Sequence, residues 1–163
     1  MPSSVPAALY PGTFDPVTRG HLDLIHRGLG LFGSLRVGVA RNASKSPLFT
    51  AEERVDMIRA EVENLPEVTV ESFGGLVVDY CKENGISTIL RGVRTISDFE
   101  YEYQMALTNR TLDDGIETVF VMPSEEFSFV SSRLIKEVYA GGGDLERFLT
   151  SAVRAQMVDR LKP

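Results

Sequence analysis

The sequence has little cysteine and no long apolar segment, and both scarcities narrow the class of protein. Cys81 is the only cysteine, which excludes an intrachain disulfide and gives no indication of a secreted fold. No apolar run approaches the roughly 20 residues that span a bilayer. The opening MPSSVPAALYPG lacks the cationic and apolar regions of a signal peptide. We therefore expect a cytoplasmic protein that does not act at a membrane.

An excess of positive charge is also missing. Lys and Arg number 17 against 23 Asp and Glu, so the formal net charge is −6. Surfaces that coat nucleic acid are basic, so nucleic acid is not an expected partner, although a local basic pocket is compatible with this balance. The 163 residues, 43% of them hydrophobic, suit a soluble protein with a sizeable core. We predict a single domain over residues 1–163.

Familiar phosphate and catalytic motifs are missing as well. There is no G-x-x-x-x-G-K-[ST], which argues against a P-loop enzyme, and no G-x-G-x-x-G after the first strand, which argues against an ordinary dinucleotide dehydrogenase. The GGG at 141–143 follows a predicted helix and is typical of a C-cap and turn. The sequence shows no Ser/His/Asp or Cys/His set and no cluster of metal ligands, so we expect no metal held by the protein itself.

Short apolar runs alternate with segments of helical period along the whole chain. Strands are predicted over residues 5–10, 35–40, 67–73, 87–92 and 116–122. Helices are predicted from Arg19, from the capping box at Thr50, over 76–84, 97–112 and 131–139, and once or twice near the C-terminus. Strands alternating with helices indicate an α/β fold, a doubly wound five-stranded parallel sheet with helices on both faces.

The unusual polar residues follow the predicted strands. PGTFDPVTRGH, which ends at His21, comes after the first strand, and RNASK, which ends at Lys45, comes after the second. The fourth strand runs into RGVR, with Arg91 and Arg94. Ligands of such sheets bind beyond the carboxyl ends of the strands, where arginine forks and helix N-termini suit phosphate groups. The pattern predicts a site for a polyanionic small molecule such as a nucleotide.

Four motifs carry a resemblance to a known family. Thr18-Arg-Gly-His21 is similar to the T/H-x-G-H signature of the nucleotidyltransferase superfamily. Together with YPGTFDP (10–16), RGVRTISDFEYE (91–102) and FSFVSSRLIKEV (127–138), it makes the chain resemble the bacterial phosphopantetheine adenylyltransferases. The resemblance extends to about residue 160.

The resemblance implies transfer of the adenylyl group of ATP to 4′-phosphopantetheine by direct in-line displacement, with dephospho-coenzyme A and pyrophosphate as products. It also implies strand order 3-2-1-4-5, Mg²⁺ carried with the ATP phosphates, and a homohexamer. The residue content agrees with this reaction. The attacking phosphate is already an anion and pyrophosphate is a stable leaving group, so positioning and electrostatics suffice without a base.

The resemblance also assigns the site residues. The catalytic residues are His21, Lys45 and Arg91. The ATP-binding residues are Thr13, Phe14, His21, Gly92, Val93, Arg94, Glu102, Phe127, Ser128, Phe129, Val130, Ser131, Ser132 and Arg133. The residues that bind the acceptor substrate are Thr13, Lys45, Leu76, Val77 and Arg91. The Asp15-Pro16 pair is interpreted as fixing the loop rather than taking part in the chemistry.

The chain departs from the family pattern at two positions, and other functions remain as alternatives. Arg133 stands where the family usually has Ser or Thr, so it either adds a phosphate contact or points to solvent, and Phe127 stands where Trp or Tyr is common. A nicotinamide-mononucleotide adenylyltransferase, a glycerol-phosphate cytidylyltransferase and a non-catalytic nucleotide sensor are the alternatives. The last motif fits the first two poorly, and the intact T-x-G-H argues against a sensor.

Overall fold

Five strands form one sheet in the computed structural model, which describes residues 7–41 and 46–162. The strands are β1 (Ala8–Gly12), β2 (Leu35–Ala40), β3 (Val68–Phe73), β4 (Thr88–Gly92) and β5 (Glu117–Val121). The helices are α1 (Arg19–Phe32), α2 (Ala51–Glu61), α3 (Val77–Glu83), α4 (Ile96–Leu112), α5 (Ser132–Ala140) and α6 (Ser151–Arg160). A short 3₁₀ helix, Glu125–Phe127, follows β5.

The strand order is β3-β2-β1-β4-β5, and every pairing between neighbours is parallel. This confirms the predicted fold class and strand order. The first three strands wind outward from β1, and the chain then crosses back to place β4 on the other side of β1. Such a reversal opens a crevice beyond the carboxyl ends of the two central strands, and this crevice is where ligands of open α/β sheets bind.

Helices cover both faces of the sheet. Tyr10 and Leu90 pack in an apolar cluster with residues of α1, α2, α5 and α6. Their strand neighbours Leu9 and Ile89 point the other way, as a pleated strand requires, and pack in a second cluster with α3. Burial on both faces explains why the strands are continuous apolar runs in the sequence rather than alternating ones.

Glycines allow α1 to cross β4 at close range. A Cβ on Gly28 would lie 2.5 Å from Leu90 Cδ2, and one on Gly92 would lie 2.3 Å from Leu24 Cδ1. Both separations are far inside van der Waals contact. The close packing explains why α1 contains Gly28 despite the low helix propensity of glycine. The helix ends at Gly33, a left-handed C-cap with a φ of 76°.

The structure differs from the predicted elements mainly at the first strand. The predicted strand ends at Tyr10, whereas β1 continues through Pro11 and Gly12, which pair in register with β2. Residues 5 and 6 of the predicted strand lie outside the described residues. The other elements for which both ends were predicted begin and end within one or two residues of those bounds. None of the helices described here is both long and apolar enough to cross a membrane.

Candidate active site

The loop after β1 ends in a capping box that orients His21. The Thr18 hydroxyl accepts a hydrogen bond from the His21 backbone N–H at 3.2 Å, and the Thr18 N–H donates to His21 Nδ1 at 3.0 Å. This reciprocal arrangement satisfies two donors at the start of α1. Because Nδ1 accepts, the proton of a neutral imidazole lies on Nε2. His21 lines a cavity within the crevice, and its Nε2–H is the donor available to a ligand there.

His21 is held in the neutral form. Its burial and the nearby charges of Arg94 and Arg91 lower the pKa of His21 to about 3. A protonated histidine here would add a positive charge to the site, and the environment argues against that form. His21 is instead a neutral hydrogen-bond donor at neutral pH.

Arg91, near the end of β4, is clamped in place. Its Nε and Nη2 donate to the two carboxylate oxygens of Glu102 at 2.8 and 2.6 Å, and Nη1 donates to the Pro11 carbonyl at 2.5 Å. Burial disfavours the charge, but the hydrogen bonds and charge of Glu102 outweigh it and raise the pKa of Arg91. Three of the five N–H groups of a guanidinium are thus used, and the remaining two are available to a ligand.

Arg94 ties the start of α4 to the loop before α5. Its Nε donates to Asp98 Oδ2 at 3.0 Å, and its Nη1 donates to the Val130 carbonyl at 2.6 Å. In that loop the Ser131 hydroxyl caps α5 by accepting from the Leu134 N–H at 3.1 Å. The N-terminus of α5 therefore joins that of α1 at the crevice, and both favour an anion there.

The crevice contains two adjoining cavities. The larger has a volume of about 270 Å³ and is walled by β1, the start of α1, the end of β4 and the segment 123–132. The smaller, of about 240 Å³, lies between the sheet and α4. The two cavities share the following residues: Pro11, Gly12, Thr13, Arg91 and Glu102. A ligand in one cavity would meet a ligand in the other at Thr13 and Arg91.

The smaller cavity is mainly apolar. Val77 of α3, Ile89 of β4 and Met105 of α4 lie in its wall. Asn109, also in the wall, is 7% exposed, and its side chain forms no hydrogen bond to another described residue. The cavity thus combines apolar surface with a buried amide that a ligand could engage.

Carboxylates near the crevice are engaged by arginines. Asp98 pairs with Arg94, and Glu102 pairs with Arg91. In the part of the chain that the structure describes, no group of three His, Cys, Asp or Glu side chains is placed to hold a metal ion. The arginines and the two helix N-termini make the larger cavity suitable for anions.

Comparison with known proteins decides the family. The sequence model of the cytidylyltransferase-like family matches residues 9–138. A phosphopantetheine adenylyltransferase from Synechococcus elongatus is 49% identical over 156 residues, which cover 96% of this chain and 94% of that protein. One from Rhodospirillum rubrum is 50% identical over 159 residues, 95% of this chain and 92% of that protein. The chain belongs to the phosphopantetheine adenylyltransferase family.

Two solved structures share the fold of this adenylyltransferase although their sequences are no more than 23% identical to it. A bifunctional NMN adenylyltransferase/ADP ribose pyrophosphatase from Francisella tularensis superposes with a TM-score of 0.68 at 14% identity, over 95% of this chain and 50% of that one. A lipopolysaccharide core biosynthesis protein from Thermoplasma volcanium gives 0.51 at 23% identity, over 72% and 94%. At these identities the likeness concerns the fold alone.

The structure gathers most of the site residues that the adenylyltransferase resemblance assigned. The larger cavity is lined by Thr13, Phe14, His21, Arg91, Gly92, Arg94, Glu102, Phe127, Val130, Ser131 and Ser132. Val77 lines the smaller cavity. Five assigned residues border neither: Leu76, Val93, Ser128, Phe129 and Arg133. Arg133 points outward and pairs with Glu137 at 3.3 Å. Lys45 lies outside the described residues, and all these roles stay predictions.

Apart from Glu102, the sequence analysis missed the residues on the α4 side of the adenylyltransferase crevice. Tyr101, Met105 and Asn109 line the smaller cavity. Their spacing of four places them on one helical face, which was a signal available in the sequence. It went unused because the three residues differ in polarity and form no apolar stripe.

Proposed function

We propose that the protein transfers the adenylyl group of ATP to 4′-phosphopantetheine, releasing pyrophosphate and forming dephospho-coenzyme A. One observation carries the proposal: two cavities of different character meet at Thr13 and Arg91. The larger, lined by His21, Arg91 and Arg94, suits a nucleotide triphosphate. The smaller suits a neutral arm that is partly amide and partly apolar. Their junction is where a phosphate on the arm would face the α-phosphate.

The reaction is an in-line displacement. An oxygen of the 4′-phosphate attacks the α-phosphorus, the new P–O bond forms, and the bond to the bridging oxygen of the β-phosphate breaks. The electron pair leaves with pyrophosphate, and no covalent enzyme intermediate forms. Both the nucleophile and the leaving group are anions, so the protein's task is to align them and offset their repulsion.

His21 is assigned to the α-phosphate. Its neutral Nε2–H donates to a non-bridging oxygen, where negative charge shifts in the transition state. The capping box fixes the ring before the substrates arrive, so no reorganisation is needed during the reaction. Donors of this kind contribute about 10²–10³ in kcat.

Arg91 and Arg94 supply the positive charge. Arg91 stands at the junction of the cavities, where its two remaining N–H groups serve the acceptor phosphate. Arg94 lies near the N-terminus of α5 and serves the β- and γ-phosphates, together with the donors of that helix. Lys45 is proposed to contact the reacting phosphates. Mg²⁺ enters as the Mg²⁺-ATP complex, because the nearby carboxylates Asp98 and Glu102 are occupied by arginines.

The smaller cavity is assigned to the pantetheine arm. Val77 and Met105 offer apolar contacts, and the buried Asn109 amide matches the amides of the arm. The Asn109 side chain forms no hydrogen bond to another described residue, so a ligand amide in this cavity would supply partners for it. This assignment adds α4 residues to the predicted Val77.

We further propose that the protein works as a cytoplasmic homohexamer. An exposed apolar face on α4 supports self-association, since soluble monomers rarely leave such patches uncovered. Phe99 and Tyr103 of that face stack with ring centroids 5.8 Å apart, and Phe120 of the edge strand β5 meets Phe99 at 5.8 Å.

The test is pyrophosphate release from Mg²⁺-ATP with each of three partners: 4′-phosphopantetheine, nicotinamide mononucleotide and buffer alone. We expect release only with 4′-phosphopantetheine, and dephospho-coenzyme A as the second product by mass spectrometry. Release with nicotinamide mononucleotide would assign a different adenylyltransferase. ATP binding without release from any mixture would favour the sensor.

A further inference from the structure

Arg54 of α2 is a buried cation whose partners among the described residues are all backbone carbonyls. It is 2% exposed. Its Nε donates to Phe49 O at 3.1 Å and Thr50 O at 3.3 Å, and its Nη1 donates to Thr13 O at 2.7 Å and Ala40 O at 3.1 Å. Within residues 7–41 and 46–162, no carboxylate forms an ion pair with it. Burying an unpaired charge is costly, so packing alone does not explain an arginine here.

The shortest of these hydrogen bonds, from Arg54 Nη1 to the Thr13 carbonyl, holds a strained turn. The Thr13 carbonyl belongs to the peptide unit that joins Thr13 to Phe14, and Phe14 has φ of 52°, in the left-handed region that residues other than glycine rarely adopt. Turning that peptide unit over would relieve the strain but would swing the carbonyl away from Arg54. Strained backbone of this kind persists only where its surroundings over-determine it. The hydrogen bond from Arg54 is one such constraint.

A second constraint runs in the opposite direction. The Asp15 carboxylate accepts from the backbone N–H groups of Leu48 and Phe49 at 2.8 and 2.9 Å, and from Lys136 Nζ at 2.9 Å. The turn thus binds the backbone before α2 through Asp15, while α2 binds the backbone of the turn through Arg54. The negative charge of Asp15 and the positive charge of Arg54 therefore both fix the turn against the start of α2.

The hydrogen bond from Arg54 to the Thr13 carbonyl also sets the direction of the Phe14 N–H. In a planar trans peptide the C=O and N–H point in opposite directions. With its carbonyl on Arg54, this unit directs the Phe14 N–H away from α2, and no hydrogen bond joins that N–H to another described residue. Thr13 and Phe14 both line the larger cavity.

We propose that Arg54 is a positioning residue for the reaction. By holding the Thr13 carbonyl it presents the Phe14 N–H to a phosphate of ATP and keeps Thr13 at the junction of the cavities. The role in catalysis rests on the proposed adenylyl transfer, whereas the role in holding the turn does not. Arg54 itself touches neither substrate.

The experiment compares Arg54→Met with Val55→Ala, both on α2. Val55 is buried but cannot hydrogen-bond the Thr13 carbonyl, so its truncation supplies a matched loss of stability without releasing that bond. We expect Arg54→Met to lower kcat with Mg²⁺-ATP and 4′-phosphopantetheine by about 10²-fold, the cost of misplacing reacting groups by roughly 1 Å. Val55→Ala should keep the wild-type kcat at temperatures where both variants are folded.

A ligand-free measurement separates this inference from the proposed function. The NMR amide resonance of Phe14 and its φ-dependent HN–Hα coupling should change in Arg54→Met and stay unchanged in Val55→Ala. If the wild-type protein releases no pyrophosphate, the proposed function fails, and the Phe14 signals alone decide whether Arg54 holds the turn. Unchanged Phe14 signals in folded Arg54→Met overturn the inference, as does an unchanged kcat in that variant when the wild type is active.

A second variant covers the case in which Arg54→Met does not fold. Arg54→Lys keeps the charge, but an ammonium lacks the planar fork that reaches the α2 cap and Thr13 together. We expect altered Phe14 signals and a kcat lowered at least about fivefold, part of the loss expected for full misplacement. Wild-type signals and kcat in Arg54→Lys would overturn the inference.

Discussion

Two regions border the same crevice and are built in opposite ways. The segment 13–21 is polar, and its side chains find partners within the chain: Asp15 binds backbone amides and Lys136, and Thr18 binds His21. On α4 the buried residues are the polar Glu102 and Asn109. Its apolar residues are exposed instead: Ile96, Phe99, Tyr101, Tyr103, Met105, Leu107 and Leu112.

The contrast separates a region whose polar side chains are partnered within one chain from a region whose apolar surface is left exposed. The segment 13–21 needs no further partner to hold its shape, which suits a site where charge develops and where preorganised donors are most effective. α4 exposes the surface that a helix normally buries, so its free energy is lowered by a partner that covers it. The chemical step is assigned to the first region, and assembly to the exposed residues of α4 that lie outside the smaller cavity.

The largest expected effect tests the first region. His21→Ala should lower kcat by about 10²–10³ while leaving the dissociation constant of ATP nearly unchanged, because the lost donor acts mainly in the transition state. His26→Ala is the control, since His26 is exposed on the same helix. Turnover by His21→Ala at the wild-type rate would show that the capping box serves only the helix.

The lowered pKa of His21 sharpens the same test. Between about pH 5 and 8 a histidine of ordinary pKa changes its charge, whereas His21, with a pKa of about 3, stays neutral. The ratio of wild-type to His21→Ala turnover should therefore be flat across that range. A ratio that falls as the pH rises through about 6.5 would instead indicate that the protonated imidazole is the active form.

How far the sequence predicted this site depends on how local the determinants are. Thr18 and Thr50 were recognised as caps because a capping box involves only four consecutive positions, and the structure has both. Arg91 and His21 were placed together because parallel strands bring their carboxyl ends to one edge. Both inferences needed only the spacing of residues and the topology.

The remainder depended on contacts between distant segments. Arg54 reaches Thr13 across 41 positions of sequence, and no local pattern indicates that contact. The smaller cavity depends on where α4 settles, and the distribution of polar and apolar residues around α4 does not indicate which side faces the sheet. The predicted first strand stops before Pro11, a residue that local propensity disfavours in strands, yet Pro11 pairs with β2.

A smaller effect is expected on the second region. Phe99→Glu should weaken self-association at least about tenfold, because burying an unpaired carboxylate costs more than the ~1.4 kcal/mol that a tenfold change requires. Analytical ultracentrifugation would show smaller species at micromolar concentrations. Leu31→Glu is the matched control, since Leu31 is an exposed apolar residue of α1. Equal assembly of Phe99→Glu and the wild type would remove this face from the interface.

The smallest effect is expected at Arg133, which lies in the last family motif, next to a residue that contacts the first region. Arg133 follows Ser132, whose hydroxyl donates to the Pro16 carbonyl at 2.9 Å, but the Arg133 side chain is 91% exposed and pairs with Glu137. Exposed pairs of this spacing contribute about 0.3–0.5 kcal/mol. Arg133→Ala should therefore change stability by no more than that amount and leave KM for ATP within about twofold, measured beside Arg94→Ala. A KM raised about tenfold, equivalent to ~1.4 kcal/mol of binding, would mean that Arg133 turns inward onto the ATP phosphates and that the anion site extends beyond Ser132.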